Sequence, residues 1–232
     1  MTRFARVEAV AQDRQDVFVQ AVRVVPCGGL VFHASARTED RGRLVAILCE
    51  HLFSDRVAPP IRLVHDALGR PRLLLGEHRG PAVSFSTAGE EVWAALCGDE
   101  SEIGIDVAGS AEFREGYPVH RVFHEQELHQ ALELAGGDLA KAASLLWSVK
   151  EAVAKALGCA FHLVAPRDIH VSPSAVVDGA HVFSVRLSGK AHVRFPMAER
   201  WPIAVSSLAR AERWLSIAAL NWPRQRVARI AL

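Results

Sequence analysis

The spacing of hydrophobic and polar residues predicts helices and strands in both halves of the chain. In the first half, Leu44, Ile47, Leu48 and Leu52 recur at helical spacing, which predicts an amphipathic helix over about residues 40–53. Apolar or alternating runs typical of strands lie at residues 17–25, 30–33, 61–64, 82–86, 92–97 and 103–107. A short polar segment separates the last two runs, which predicts a hairpin that passes through the core.

The second half repeats this mixture of elements. Helices are predicted over residues 125–135 and 139–157, the latter with Asp138 as its N-cap and Gly158 directly after its end. Strand-like runs follow at residues 169–171, 182–187, 191–195, 203–206 and 214–220. A Leu-Gly turn follows the helical region of each half, at residues 68–69 and 157–158. The pattern predicts an α+β fold with two similar halves, residues 1–101 and 102–222, and a tail over residues 223–232.

Composition narrows the class of protein. The chain has 232 residues, of which 50% are hydrophobic and 23% charged, so it can bury a large core. A formal net charge of +1 argues against nucleic acid or anionic membrane as the main partner. The four cysteines lie far apart without a CxxC pair, which is typical of a reduced protein. Neither a secretory signal nor a long apolar span is recognisable, so a soluble, cytoplasmic protein is expected.

Two carboxylates occupy positions that suit a metal site. Asp106 lies within the apolar run IGIDV, where an ionised side chain needs a partner. Glu151 shares one helical stripe with Trp147 and Lys155 at i, i+4 spacing. A salt bridge or a solvated strand end would also explain Asp106, and an ordinary surface pair with Lys155 would explain Glu151. Together, the two carboxylates could hold a divalent cation on a phosphorylated ligand.

Several common catalytic motifs are excluded by the sequence. His124 and His129 flank a segment similar to that of zinc proteases, but they are five residues apart and diverge by about 140° on a helix. The sequence contains no Walker A loop, no GxGxxG after a strand and no GxSxG elbow. These absences leave the carboxylate pair as the candidate site.

Five short motifs resemble those of the Sfp-type 4′-phosphopantetheinyl transferases, which load carrier proteins with the coenzyme A arm. They are the turn Gly69-Arg70-Pro71, VSFSTAG at residues 83–89, GIDV at residues 104–107, the F-x-x-x-E segment at residues 123–127, and WSVKEAVAKALG at residues 147–158. Each motif alone is weak, whereas their order and spacing together make a specific signal. The resemblance covers about residues 68–158, and the flanks match only in pattern.

The resemblance implies two similar α+β halves related by a pseudo-twofold, with coenzyme A in the cleft between them. The N-terminal half would contact the nucleotide 3′-phosphate, and the C-terminal half would carry the metal and the catalytic helix. Mg²⁺, with Mn²⁺ as an alternative, would bridge the cofactor diphosphate to Asp106 and Glu151. By the same resemblance, the cofactor-binding residues are Arg37, Arg70, Ser86, Thr87, Lys150 and Lys155.

The reaction implied by the resemblance is a phosphoryl transfer. A serine hydroxyl of an apo acyl or peptidyl carrier protein would attack the β-phosphate of coenzyme A, and 3′,5′-ADP would leave. Glu151 is the candidate base, and Lys155 is the candidate acid or charge stabiliser at the leaving phosphate. Lys150 would either neutralise phosphate charge or buttress the helix. A monomer is expected, because two joined halves complete one site.

Three positions depart from the family's pattern. Thr87 stands where the family often has a histidine, Ala108 where it often has a second acidic residue, and Ala160 replaces the second glycine of the loop after the helix. Thr87 predicts a lower affinity for the cofactor. Ala108 predicts that a water takes the place of one metal ligand. Two other hypotheses therefore stand beside the transferase. One is a catalytically weak relative that binds coenzyme A or carrier domains, and the other is a plain α+β interaction domain.

Overall fold

The described residues of the N-terminal part form six longer strands, one two-residue strand and one helix. The structure, a computed structural model, describes residues 17–24, 30–37, 40–53, 60–97, 101–114 and 116–221. Within residues 17–97, the elements are β1 (Phe18–Arg23), β2 (Leu30–Ala36), α1 (Arg41–Leu52), β3 (Ile61–His65), β4 (Pro71–Leu75), the two-residue β5 (His78–Arg79), β6 (Ala82–Ala88) and β7 (Glu91–Cys97). The helix begins where predicted, because Asp40 Oδ1 accepts the N–H of Arg43 at 3.0 Å.

The C-terminal part is built around one long helix. Its elements are β8 (Glu102–Gly109), α2 (Val119–Val122), α3 (Glu125–Leu134), α4 (Leu139–Ala156), β9 (Ile169–Val177), β10 (Ala180–Leu187), α5 (Gly189–Arg194), β11 (Ile203–Arg210) and β12 (Arg213–Leu220). Asp138 caps α4 by accepting the N–H of Lys141 at 3.0 Å. Gly158 follows the helix with φ +85°, as expected of a C′ glycine.

The order of strands repeats between the two parts of the chain. One sheet has the order β1-β2-β7-β6, a second has the order β8-β12-β11-β10-β9, and β3, β4 and β5 form a small third sheet. In both large sheets a strand precedes the main helix, and a later hairpin inserts its second strand beside it. The run β2-β7-β6 thus corresponds to β8-β12-β11. The α+β class is confirmed, whereas the domain boundaries stay a prediction and residues 223–232 lie outside the described part.

Alternating side chains give each large sheet two buried faces. The face of the first sheet that carries Val83, Phe85 and Leu96 packs on α1. Its other face meets Ile103 and Ile105 of β8 in a core between the two large sheets. The remaining face of the second sheet packs on α4 in the largest apolar cluster. The helices therefore cover the outer faces, and the two sheets meet through their inner ones.

The predicted hairpin of residues 92–97 and 103–107 is wrong. β7 pairs with β2 and β6, whereas β8 pairs with β12 in the other sheet. Two apolar runs joined by a short polar segment also fit the end of one sheet and the start of the next. The periodicity of side chains does not identify the partner strand, so only the tertiary structure distinguishes these cases.

The segment at residues 191–195 was expected to be a strand and is helical. The alternation of Ala191, Val193 and Phe195 suggested period two. In the structure, α5 is closed by hydrogen bonds from His192 N to Ser188 O and from Phe195 N to Ala191 O. Val193 is 78% exposed, so the apolar alternation does not correspond to burial. Pro196 ends the helix by disfavouring helical geometry at the preceding residue.

None of the helices in the described part of the chain combines the length and the apolar character that crossing a bilayer requires. Cys49, Cys97 and Cys159 are buried, and Cys27 lies outside the described residues.

Candidate active site

Strand β8 and helix α4 are in backbone contact at Gly104. A Cβ atom at this position would lie 2.0 Å from the carbonyl oxygen of Ala152 and 2.6 Å from the nitrogen of Ala156. Glycine is therefore required for the helix to lie this close to the strand. The contact stands two residues before Asp106 and on the same face of the strand, so it brings the polar stripe of α4 onto Asp106.

Lys155 forms ion pairs with both carboxylates that the sequence suggested, Asp106 and Glu151. Its Nζ lies 2.7 Å from Asp106 Oδ1 and 3.1 Å from Glu151 Oε1, and it also donates to the carbonyl oxygen of Ile105 at 3.1 Å. The Asp106 side chain is 5% exposed, whereas those of Glu151 and Lys155 are 26% and 20% exposed. The structure therefore brings Asp106, Glu151 and Lys155 together at one accessible point.

Asp106 is oriented by a serine from the other sheet. Ser86 Oγ donates to Asp106 Oδ1 at 2.8 Å and accepts the N–H of Val107 at 3.1 Å. Ser84 Oγ accepts the N–H of Ile105 in the same way, also at 3.1 Å. A hydroxyl has one proton to donate, so Ser86 is occupied by the protein. Its contacts indicate that it positions Asp106 and joins β6 to β8.

Burial raises the pKa of Asp106 to about 6. The ammonium of Lys155 opposes this shift by favouring the ionised carboxylate, and the negative charge of Glu151 adds to it. The pKa of this carboxyl group therefore reflects two opposing effects, desolvation that raises it and the neighbouring ammonium that lowers it. Additional positive charge at this point would favour the ionised form.

A cavity of about 220 Å³ opens beside this cluster, between the two parts of the chain. Lys155, Gly158 and Ala160 line it from the C-terminal part, and Arg70 and Phe85 line it from the N-terminal part. The guanidinium of Arg70 lies against Gly158, where a Cβ would approach Arg70 Nη1 to 2.5 Å. One wall of the cavity therefore carries an arginine and another carries the Lys155 cluster.

Arg70 forms an ion pair with Glu102, a residue that the sequence analysis did not single out. Glu102, the first residue of β8, forms ion pairs with Arg70, Arg72 and Arg79. Burial lowers the pKa of Arg70 to about 10, with Glu102 opposing the shift and the neighbouring arginines adding to it. Arg70 is charged at neutral pH in either case. No sequence motif marks Glu102, because its partners come from another sheet.

Arg41 is a further cavity residue that the sequence did not suggest. It is the first residue of α1, it lines the cavity, and its guanidinium lies 5.2 Å from the centre of the Phe85 ring. This distance is typical of a cation–π contact. The signal in the sequence was the Asp40 N-cap, which places Arg41 in the first helical turn. Arg37, which was predicted instead, is exposed after β2 and is not among the cavity-lining residues.

Lys150 lies away from the cluster, on another face of α4. Its side chain is fully buried, and its Nζ contacts Glu127 Oε2 at 2.8 Å, Glu127 Oε1 at 3.0 Å and the carbonyl oxygen of Pro166 at 3.0 Å. Burial lowers the pKa of this lysine, and Glu127 opposes the shift. These contacts do not support cofactor binding by Lys150. Of its two predicted roles, they favour the one that buttresses the helix.

Thr87 and Ala108, two of the three positions that depart from the family pattern, both lie away from the Lys155 cluster. Thr87 is exposed near the end of β6 and is not among the residues that line the cavity. Ala108 is 1% exposed and packs in the apolar cluster under α4. Neither side chain is placed to contact the Lys155 cluster in the way that Ser86 and Glu151 are.

Ala160 adopts a backbone conformation that favours glycine. Its φ is +44°, in the left-handed region, which costs a non-glycine residue about 1–2 kcal/mol. The chain thus keeps the loop geometry of a glycine at this position without having one. The departure at Ala160 therefore appears as backbone strain beside the cavity.

Replacing Ala160 by glycine is expected to stabilise the protein by about 0.5–1 kcal/mol. The relief of left-handed strain exceeds the entropy that a glycine gains in the unfolded chain. Urea unfolding monitored by circular dichroism would measure the difference. Ala165→Gly is the matched control, since Ala165 has φ −88° and is exposed, so glycine should only destabilise there. Equal destabilisation by both changes would contradict the assigned strain.

The oxygen atoms around Lys155 fit a hard divalent cation. Carboxylate and carbonyl oxygens are the protein ligands that Mg²⁺ and Mn²⁺ accept, and Mg²⁺ commonly uses one or two carboxylates together with waters and substrate phosphates. Asp106 and Glu151 provide two such carboxylates next to the cavity. The described residues hold no larger group of His, Cys, Asp or Glu side chains placed for a metal ion.

The C-terminal part of the chain matches a known family. Residues 102–206 match the sequence model of the 4′-phosphopantetheinyl transferase superfamily, ACPS. The chain is similar to this superfamily. The matched segment is less than half of the chain and contains Asp106, Glu151 and Lys155, whereas Arg41 and Arg70 lie outside it. The superfamily match does not distinguish the Sfp-type branch, which stays a prediction.

Two solved structures from this superfamily resemble part of the chain. The ACPS-CoA complex of Chronobacterium ammoniagenes is 20% identical with a TM-score of 0.41, and the alignment covers 54% of this chain and 100% of that one. The holo-[acyl-carrier-protein] synthase (AcpS) of Neisseria meningitidis is 19% identical with a TM-score of 0.41, over 52% and 98% of the two chains. No curated protein sequence matches the chain.

Proposed function

We propose that the chain is a 4′-phosphopantetheinyl transferase of the Sfp type that uses coenzyme A and a divalent cation. The serine oxygen of an apo acyl or peptidyl carrier protein forms a bond to the β-phosphorus of coenzyme A. The bond between that phosphorus and the bridging oxygen breaks, and 3′,5′-ADP leaves. The serine proton passes to a base. Cleavage of the phosphorus–oxygen bond leaves negative charge on the departing phosphate, and this charge must be neutralised.

One observation carries this proposal. A buried strand aspartate and a helix glutamate meet on one lysine ammonium in the wall of a cavity that also presents an arginine. This arrangement combines metal-binding oxygens with two cations, which a phosphoryl transfer requires. The superfamily match over residues 102–206 supports the same reaction class. Because both parts of the chain line this cavity, a monomer would suffice for activity.

The residues present suggest a division of roles. Asp106 and Glu151 would hold Mg²⁺ or Mn²⁺, and Ser86 would keep Asp106 in place. The cation would supply positive charge to the diphosphate. Glu151, the more exposed carboxylate, would accept the proton of the carrier serine directly or through water, and Lys155 would neutralise the leaving phosphate. Arg70 at the far wall would bind the nucleotide 3′-phosphate.

Incubation with coenzyme A, Mg²⁺ and a panel of apo carrier proteins is expected to add phosphopantetheine to at least one carrier, seen as a mass increase of the intact protein. Glu151→Gln should reduce the rate by about 100-fold or more, because it removes both the base and a metal ligand. Glu133→Gln, an isosteric change of an exposed glutamate on α3, is the matched control and should leave the rate unchanged.

The same incubation, combined with measurements of coenzyme A and carrier binding, separates the alternatives. A folded protein that binds coenzyme A but modifies no carrier would support the catalytically weak relative, for which Ala108 in the apolar core is the motivating observation. A folded protein that binds neither coenzyme A nor a carrier would leave only the plain interaction domain. Full activity of the Glu151→Gln variant would remove this residue from its proposed role.

A further inference from the structure

The ammonium of Lys155 has an oxygen environment like that of a bound cation. It contacts one oxygen of each carboxylate, Asp106 Oδ1 and Glu151 Oε1, and the backbone carbonyl of Ile105, all within 2.7–3.1 Å. Two carboxylates and a carbonyl are also the donor set that a hard divalent cation would use. The lysine is therefore paired with the very oxygens that the proposed metal needs.

We propose that Lys155 is an internal counter-ion of the metal site, and that it is exchanged for the divalent cation when the metal binds. Without metal, the ammonium neutralises Asp106 and Glu151. With metal, the same lysine leaves these carboxylates and turns into the cavity. The inference rests on the proposed metal site and adds to it a competition that couples metal binding to the position of the lysine.

The first argument concerns charge. Asp106 is almost fully buried, and an ionised carboxylate at such a position needs a cation next to it. Once a divalent cation binds the same two carboxylates, the ammonium would stand within a few ångströms of two further positive charges. Their repulsion in a partly buried site is strong. Simultaneous occupation of the same oxygens is therefore unfavourable, and one cation replaces the other.

The second argument concerns space. Lys155 lines the cavity and its side chain is 20% exposed, so its head group has solvent on one side. The flexible four-carbon stem can carry the ammonium away from the carboxylates without moving α4. The place it would enter is the cavity in which a ligand phosphate would lie. The exchange thus delivers a positive charge to the ligand at the moment when the metal site fills.

The third argument is a comparison with the other ion pair of the same helix. Lys150 and Glu127 are both buried, at 0% and 5% exposure, and the lysine also donates to a carbonyl oxygen. Glu127 borders a second cavity, but the side chain of Lys150 is fully buried and does not line that cavity. Lys155 differs by facing the first cavity, and this difference makes it exchangeable.

The test is metal binding in the absence of coenzyme A. Lys155→Met keeps an unbranched apolar stem and removes the charge. Electron paramagnetic resonance of free Mn²⁺ gives the dissociation constant for Mn²⁺ alone. We expect the variant to bind Mn²⁺ at least tenfold more tightly than the unchanged protein. Lys141→Met, on the same helix but paired with the exposed Glu212, is the matched control and should lie within twofold.

A second measurement needs no variant. Acetylation of the unchanged protein with acetic anhydride, followed by peptide mass spectrometry, reports how accessible each lysine amine is. Addition of Mg²⁺ alone should raise the acetylation of Lys155 several-fold and leave that of Lys141 unchanged. This arm keeps the proposal testable if Lys155→Met does not fold.

The proposal is overturned if Lys155→Met binds Mn²⁺ within twofold of the unchanged protein, or if Mg²⁺ leaves the acetylation of Lys155 unaltered. Absence of Mn²⁺ binding in all variants would overturn it together with the proposed metal site. Failure of carrier modification alongside intact exchange would reject only the proposed transferase activity. The two hypotheses therefore fail in distinguishable ways.

Discussion

Replacing Gly104 by alanine is expected to lower the free energy of unfolding by about 3 kcal/mol or more, the upper range for overpacked positions. The added Cβ would stand 2.0 Å from the carbonyl oxygen of Ala152 and 2.6 Å from the nitrogen of Ala156. Both are backbone atoms of α4, so no side chain can turn away to make room. The helix must move off the strand, and urea unfolding would measure the loss.

Gly109→Ala provides the matched control on the same strand. A Cβ at Gly109 would meet nothing closer than 3.7 Å, so its effect should stay within about 0.5 kcal/mol. Any folded fraction of Gly104→Ala should also bind Mn²⁺ weakly, because the displaced helix carries Glu151 away from Asp106. A Gly104→Ala protein as stable as the Gly109→Ala protein would show that α4 does not dock on β8 as described.

Replacing Lys150 by methionine is expected to cost about 3–5 kcal/mol, the usual loss when one partner of a buried ion pair is removed. The change leaves the carboxylate of Glu127, which is 5% exposed, without its cation. That carboxylate also accepts the N–H groups of His124 and Val171, so it ties α3 and β9 to the central helix. Chemical denaturation of the variant, monitored by tryptophan fluorescence, would give the difference.

A double variant separates charge from packing. Lys150→Met combined with Glu127→Gln should recover part of the loss, because it removes the unpaired charge and keeps one carbonyl oxygen as an acceptor for these N–H groups. Lys141→Met, which breaks an exposed pair with Glu212, should cost less than about 1 kcal/mol. If Lys150→Met instead left stability intact and weakened coenzyme A binding, the phosphate-neutralising role would be the correct one.

Local signals predicted α1, α3, α4 and most strands, whereas the short α2 was not predicted. Capping aspartates and the glycine after α4 stood at positions where short-range hydrogen bonds decide the structure, and these are visible in the sequence. One error fell where the decision was not local, and another where a short local pattern was ambiguous. The partner of β8 is a strand more than a hundred residues away, and α5 is a six-residue helix whose alternation imitated a strand.

The candidate site shows the same division. Asp106, Glu151 and Lys155 could be proposed from spacing and resemblance, and the structure brings them together. Lys150, adjacent to Glu151 in the sequence, lies on another face of the helix with a partner from α3. Arg41 and Glu102 contact residues of other elements, and although the Asp40 N-cap places Arg41 in the first turn of α1, no motif indicates either contact. Their contacts could be found only in three dimensions.

The sequence by itself determined the α+β class, the stripe of α4 that carries Glu151 and Lys155, and the isolated charge of Asp106 in an apolar strand. These follow from periodicity, which fixes the direction of neighbouring side chains on one element. The tertiary structure alone decided that Lys155 pairs with both carboxylates, that Ser86 is bound to Asp106, and that Lys150 is buried elsewhere. The reason is physical, since a charge buried by folding takes the partner that packing brings within reach, whatever its distance along the chain.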